Sequence, residues 1–203
     1  MAIDVSAPGR TPRADAQRNR DLILGTAEEH FVEHGVGGSL DAIAKRAGVG
    51  AGTLYRHFPT REALLAALLA GRDEELVARR ESLREDSVDA GQALDGWLRA
   101  VVTWAAAYEG LPEPLRAATT TSSSPLATTC EGFVTTTAEF LAAAQRAGLA
   151  RGDVRARDLF LSALATSWAS GAALADDETA TALSALTRTG WAESTPQPEG
   201  PRD

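Results

Sequence analysis

Apolar side chains recur every three or four residues along most of the chain, which is the spacing of one face of an α-helix. Near the N-terminus, Ile23, Ala27 and Phe31 keep this spacing over two turns. No segment alternates apolar and polar residues as a half-buried strand requires, and no Asn-Gly hairpin turn is present. The pattern therefore predicts an all-α fold.

Capping residues and glycines divide this pattern into separate helices. Ser39 and Thr60 stand where a hydroxyl can cap the first turn of a helix, whereas Gly35 and Gly48 suit the left-handed residue that ends one. Two prolines within 111–115 predict a kinked connection. The predicted helices span about 15–34, 40–47, 50–57, 60–84, 90–108, 125–147, 156–175 and 178–191.

Changes in composition divide the chain into four predicted segments. Residues 1–13 contain prolines and glycine without apolar spacing, and they are expected to form a flexible arm. Three helices over 14–60 are expected to form one domain, and the helices over 61–193 a second, larger one. Residues 194–203 are expected to form a disordered tail.

Charge is distributed unevenly between these segments. The net charge is -8, but residues 1–60 carry seven basic and seven acidic side chains and are neutral. The acidic remainder would repel phosphate, so any contact with DNA is expected at the N-terminal end. No apolar run is long enough to cross a membrane, no signal peptide is evident, and Cys130 is the only cysteine. These features predict a cytoplasmic protein without an internal disulfide.

The short helices at 40–47 and 50–57 are joined by a tight turn and form the outline of a helix-turn-helix. The second helix of such a pair enters the DNA major groove, so it must be braced from inside and polar outside. Leu54 and Phe58 can pack against Ile43 and Phe31. The residues left around the exposed end of this second helix are Thr53, Tyr55, Arg56 and His57. Arg61 lies in the first turn of the next helix, where its positive charge is a poor match to the helix dipole, so we expect it to attract an external phosphate.

This segment also resembles a known signature. The sequence SLDAIAKRAGVGAGTLYRHFPTREAL over 39–64 is similar to the DNA-binding signature of the TetR/AcrR family of bacterial regulators, and residues 20–27 resemble that family's first helix. The resemblance covers about 15–65. Two departures are minor: Gly50 stands where serine or threonine is frequent, and Arg61 where lysine is common.

The resemblance implies a role in DNA binding for individual residues. Ser39, Thr53, Tyr55, His57 and Arg61 would contact phosphates, which set the position of the protein on DNA. Around Gly50, the positions that could meet base edges are Ala51, Gly52 and Arg56. Arg18 and Arg20, with Arg10 and Arg13 of the arm, would reach the backbone or the minor groove.

The aromatic residues of the larger domain have two open interpretations. They either fill a helical core or line a pocket for a small, largely apolar effector, with threonines and a thiol as its polar groups. The predicted ligand-binding residues are Trp97, Trp104, Tyr108, Cys130, Phe133, Thr137, Phe140 and Trp168. In the resembled family an effector shifts the long connecting helix and respaces the two DNA-reading helices.

The last two helices are the predicted dimer interface, because a two-fold operator needs a two-fold protein. Small groups that permit close approach of helices, together with an apolar stripe, suggest Leu159, Ala163, Thr166, Ser167, Ser170, Leu183 and Leu186. Alternatively, these residues complete a core within one chain.

The resulting hypothesis is a dimeric regulator, usually a repressor, that leaves a palindromic DNA operator when a small molecule binds. The alternatives are a constitutive DNA-binding regulator without an effector, an activator, or an enzyme. His30 and His34 have the four-residue spacing of a zinc face, but no third ligand is evident. Because neither a nucleophile motif nor a phosphate loop appears, no catalytic residue, metal or cofactor is expected.

Overall fold

The computed structural model describes residues 12–87, 89–121 and 123–193, so the predicted tail and most of the predicted arm lie outside the described residues. The helices are α1 (Pro12–His34), α2 (Leu40–Arg46), α3 (Ala51–His57), α4 (Arg61–Asp86), α5 (Ala90–Ala105), α6 (Pro112–Ala118), α7 (Ala127–Arg146), α8 (Ala156–Ser170) and α9 (Thr179–Trp191). Apart from one isolated bridge between Ala150 and Ala192, the described residues form no extended pairing. The prediction of an all-α fold is confirmed.

The predicted ends of several helices are confirmed in atomic detail. The Ser39 hydroxyl accepts a hydrogen bond from the Ala42 amide at 3.3 Å, and the Thr60 hydroxyl accepts one from the Ala63 amide at 3.1 Å. Gly35 and Gly48 both have left-handed backbones, with φ of 67° and 69°. These glycines let the chain turn sharply on either side of α2.

Other boundaries differ from the prediction for local reasons. Helix α1 begins at Pro12 instead of 15, because proline is well tolerated in the first turn of a helix. The predicted kinked connection is instead the short helix α6, again with a proline, Pro112, in its first turn. Helix α8 ends at Ser170, before Gly171 and five residues earlier than predicted.

Two helical groups share one continuous core. Helices α1, α2 and α3 pack together at the N-terminal end, and α4 extends from them into a bundle in which α5, α7 and α8 contact one another. Helix α9 packs on α8. Buried Leu64 and Leu65 of α4 belong to the same apolar cluster as Trp97 and Phe140. Helix α4 therefore physically connects the two groups.

Candidate nucleic-acid interface and ligand cavity

Helix α3 is held rigidly against the two helices that precede it. Leu54 and Phe58 are completely or almost completely buried, as are Ile43 and Phe31 in the same apolar cluster. Arg46 of α2 donates hydrogen bonds to Glu33 at 2.8 Å and Glu29 at 2.9 Å, so it ties α2 to α1. The hydrogen bond from Arg46 also lowers the pKa of the Glu33 carboxyl. Sequence patterns did not indicate this ion pair, because its partners are 13 and 17 residues apart.

The outer face of α3 is polar and open. Tyr55 is 45% exposed, Ala51, Gly52 and Arg56 are exposed, and Thr53 and His57 are partly buried. Helix α3 contains no acidic residue that would repel a phosphate. The face therefore offers hydroxyl, guanidinium and imidazole groups on a braced helix of the size that a major groove admits.

The Arg56 side chain is exposed but makes its hydrogen bonds within its own helix in the free protein. Its Nε donates to the Gly52 carbonyl at 3.2 Å, and its Nη2 donates to the Thr53 hydroxyl at 3.0 Å. Both acceptors lie on α3 itself, so the guanidinium is folded back along the helix. Reaching a base edge requires exchange of these exposed hydrogen bonds for bonds to DNA.

Arg61 is placed differently from the prediction. Its Nη1 donates to the carbonyl of Val36 and, at 2.7 Å, to that of Gly38, and its side chain is partly buried. The guanidinium thus satisfies two backbone acceptors of the α1–α2 turn. The expectation that Arg61 stands open to attract phosphate is wrong for this conformation, because sequence spacing could not show that the turn lies within reach.

Three other basic or polar candidates have partners within the chain. Arg18 lies 3.4 Å from Asp15 one turn earlier, and the Arg20 guanidinium lies 4.6 Å from the centre of the Phe58 ring. The Ser39 hydroxyl, which accepts the capping hydrogen bond, keeps its own hydrogen free to donate. Gly50 is the N-cap of α3 without a side-chain hydrogen bond.

The larger bundle is centred on stacked aromatic rings. Trp97 stacks on Phe140 with ring centres 5.6 Å apart, and Trp104 meets Phe133 edge-on at 4.4 Å. The Trp97 indole donates to the Thr137 hydroxyl at 2.9 Å. Cys130 is buried as well, and burial raises the pKa of its thiol to about 11. For most of the predicted ligand-binding residues, the structure therefore supports the interpretation as core.

A cavity of about 280 Å³ does open beside this core. Two of the predicted residues, Trp97 and Phe133, lie in its wall. Its other lining residues are Leu76, Val77 and Arg80 of α4 and Thr128, Thr129, Gly132 and Thr136 of α7. The apolar rings with a few hydroxyls and one guanidinium are typical of a small-molecule site. Apolar spacing along the long helix does not by itself show that Leu76 and Val77 border a cavity.

Tyr108 lies elsewhere, at the junction of the two helical groups. Its ring meets Phe31 of α1 with centres 6.2 Å apart. Next to it, the Val36 amide donates to the Glu109 carbonyl at 2.8 Å, and Gly110 has a φ of 80°. The placement of Tyr108 in the pocket was therefore wrong, and its ring instead helps to join the α5–α6 loop to α1.

The predicted dimer residues divide into two groups. Leu159, Ala163, Thr166 and Ser167 are each 4% exposed, and α8 directs them into the bundle of its own chain. Their assignment to an interface was wrong, because the apolar and small residues of α8 complete the intramolecular core. Ser170 and Leu183 are partly buried, and Leu186 is 69% exposed.

Trp168 is also outside the aromatic core. It is 63% exposed and borders a surface groove between α6 and α8 together with Pro112 and Leu164. Its prediction as part of the same pocket as Trp97 was wrong, because Trp168 borders the groove between α6 and α8, whereas no residue of α8 lines the cavity beside Trp97. The groove and Leu186 leave apolar surface open on α8 and α9.

Family models match both helical groups. The model described as bacterial regulatory proteins of the tetR family matches residues 23–68, and the model described as the C-terminal domain of SbtR-like transcriptional regulators matches residues 89–192. The second match alone spans half of the chain. The chain belongs to the TetR family of transcriptional regulators.

Solved structures of other TetR-family proteins have the same fold. The TetR regulator SCO0520 of Streptomyces coelicolor is 31% identical, with a TM-score of 0.56 over 87% of this chain and 99% of its own. A TetR regulator of Mycobacterium vanbaalenii is 34% identical, with a TM-score of 0.50 over 90% and 100% of the two chains. The helix-turn-helix and the helical C-terminal domain thus follow the family architecture, and the chain is a DNA-binding regulator.

Curated relatives match only through the DNA-binding end. The regulator UidR of Escherichia coli is 40% identical over 68 residues, or 33% of this chain and 35% of its own. SrpR of Pseudomonas putida is 41% identical over 68 residues, or 32% of its length. The match spans about a third of these relatives, so their regulated genes do not transfer to this TetR-family chain. None of its described helices is long and apolar enough to cross a membrane.

Proposed function

We propose that this TetR-family chain is a homodimeric repressor that binds a palindromic operator through α3 and releases it when a small molecule occupies the cavity beside Trp97. The observation that best supports this proposal is the position of α4. This helix begins directly after α3 and the Thr60 cap, and its later turns supply Leu76, Val77 and Arg80 to the cavity wall. A ligand in the cavity therefore presses on the helix that leads to the DNA-reading helix.

Half-site geometry supplies a physical reason for release of DNA on ligand binding. Two recognition helices must be about 34 Å apart to enter successive major grooves. A displacement of α4 at the cavity carries α3 with it and changes that spacing. Because the coupling is reciprocal, operator DNA should weaken effector binding by the same factor by which effector weakens operator binding.

Operator binding is tested with the DNA that flanks the chain's own coding region, by gel shift against a scrambled competitor at a stated salt concentration. Tyr55→Ala should weaken binding through loss of a phosphate contact. Arg56→Ala should relax sequence preference while the salt dependence is largely retained. Arg146→Ala, which removes an exposed charge at the end of α7, is the control. Unchanged affinity of both α3 variants would refute the assignment of α3 as the reading helix.

Effector binding is tested by thermal shift with a library of small apolar and amphipathic molecules. Gly132 lines the cavity and an added Cβ there meets nothing within 4 Å, so Gly132→Leu should narrow the cavity with a large apolar side chain. The variant should lose the thermal shift and remain on the operator when effector is added. Gly25→Leu, at an equally open helical position in α1, is the matched control. Failure of every compound to shift the melting temperature or release DNA would favour a constitutive regulator.

Dimerisation is expected through the apolar surface that remains exposed on α8 and α9. Trp168 and Leu186 are the large apolar residues of these helices that the single chain leaves open. Light scattering of the purified chain should give a dimer mass at micromolar concentration, and Trp168→Glu should shift it towards monomer. A monomer mass for the unsubstituted chain would contradict the proposal.

A further inference from the structure

A second opening lies beside the cavity already described, against a neighbouring face of α4. This groove of about 350 Å³ runs between α4 and α5, and Leu76 separates it from the first cavity because it lines both. Its principal walls are Arg72 and Arg79 from α4 and Arg99 and Trp104 from α5. Nothing in the proposed release of DNA requires this groove.

Hydrogen-bond donors in and beside this groove have no acceptor among the described residues. The Trp104 indole nitrogen is buried without a partner, although Trp104 as a whole is only 4% exposed. The Nε of Arg72 is also buried and unpartnered, and the Arg72 guanidinium lies 5.9 Å from the centre of the Tyr108 ring. Buried polar atoms normally find a partner, so two such atoms on residues of one groove indicate a missing acceptor.

Charge in the groove is predominantly positive. Three guanidinium groups face one carboxylate of the lining, Glu75, which lies 4.0 Å from Arg72 and is 81% exposed. Arg99 is already paired with Asp95 at 3.0 Å, and Asp95 also lies 3.4 Å from Arg188. The Arg72–Glu75 contact is long and its carboxylate is exposed, and Arg79 has no ion-pair partner among the described residues, so these two cations are the ones available to a ligand.

We propose that the groove between α4 and α5 binds a small monocarboxylate with an apolar body. Two oxygens of a carboxylate match the planar donors of a guanidinium, and an indole can only donate. Leu76, Ala100 and the ring of Trp104 supply an apolar wall for the rest of the ligand. This site is separate from the proposed effector cavity, and its existence does not depend on operator release.

Calorimetric titration of the full chain with benzoate tests the site, and benzamide is the neutral control of the same shape. Benzoate should bind and benzamide should not. Arg72→Gln should weaken benzoate at least about tenfold, because it removes a charge-assisted hydrogen bond. Trp104→Phe keeps an aromatic ring but removes the indole donor, and it should weaken benzoate as well.

Further variants separate the ligand role from a structural one. Arg79→Gln, at the exposed rim, should weaken benzoate without lowering the melting temperature of the free protein. Arg146→Gln, at an exposed position outside both openings, should leave benzoate affinity unchanged. Loss of benzoate affinity in Arg80→Gln would place benzoate in the first cavity and overturn the proposal. Equal affinity for benzoate and benzamide, or equal benzoate affinity in all variants, would overturn the proposal. Inorganic phosphate that binds as tightly as benzoate would overturn the requirement for an apolar body.

Discussion

Two adjacent glycines in the α1–α2 turn offer a matched test of packing. An alanine Cβ at Gly38 would lie 2.6 Å from Nε2 and 2.8 Å from Cδ2 of His30, whereas one at Gly37 meets nothing within 4 Å. Neither glycine has a left-handed backbone. The two substitutions therefore remove the same unfolded-state entropy and differ mainly in the contact with His30.

The size of the difference follows from that contact. Ordinary contacts begin at 3.4 Å, so the turn or the imidazole must move by about 0.8 Å. His30 is 6% exposed and the Gly38 carbonyl is held by Arg61, so neither side can move freely. Overpacking of this kind typically costs about 1–3 kcal/mol. We expect Gly38→Ala to be less stable than Gly37→Ala by that amount.

Urea unfolding followed by circular dichroism measures both free energies of unfolding. The variant His30→Ala removes the obstructing ring. When Gly38→Ala is made in this variant, it should lower the free energy of unfolding much less than it does in the unsubstituted protein. The coupling energy between the two sites should therefore exceed about 1 kcal/mol. Equal stability of the two glycine variants, or an additive double variant, would refute the reasoning.

Three further predictions concern single groups. Burial first, and then the nearby charges of His34 and Arg46, lower the pKa of His30 from 6.5, so the unfolded chain binds its proton more readily. The free energy of unfolding should therefore fall as pH drops below about 6.5, by at most about 1.4 kcal/mol per pH unit. A His30→Leu variant whose free energy of unfolding depends on pH as steeply as that of the unsubstituted protein would contradict this. In urea unfolding, the free energy of unfolding of Gly110→Ala should be lower than that of Gly132→Ala by at least about 1 kcal/mol, because φ at Gly110 is 80°. Equal free energies for the two variants would argue against strain at Gly110. Cys130, with its pKa raised to about 11 by burial, should resist iodoacetamide at pH 8 until urea unfolds the chain, and rapid labelling of the native protein would contradict that burial.

The DNA-binding end was largely predictable because its determinants are local. Ser39, Gly48 and Thr60 act within one turn of their own positions, and the braces Leu54 and Phe58 face neighbours in adjacent helices. The contacts that the arginines make in the DNA-free protein were not predictable. Arg61 binds carbonyls 23 and 25 residues away, and no local rule reveals such a partner.

The larger domain was less predictable from the sequence than the DNA-binding end. Spacing identified Trp97 and Phe133 on apolar faces, but whether an apolar face meets a cavity, a core or solvent depends on which helix packs against it. Tyr108 meets α1, and Trp168 remains 63% exposed, although both were candidates for one ligand pocket.

Capping, periodicity and glycine turns are properties of short segments, so the amino-acid sequence was enough to predict the helical class, the helix-turn-helix and the family resemblance. The residues that line the cavity, the position of α4 beside both the cavity and the second groove, and the buried face of α8 became clear from the packed structure alone. Those features arise from contacts between segments that are distant in the chain, and such contacts are set by the packing of whole helices.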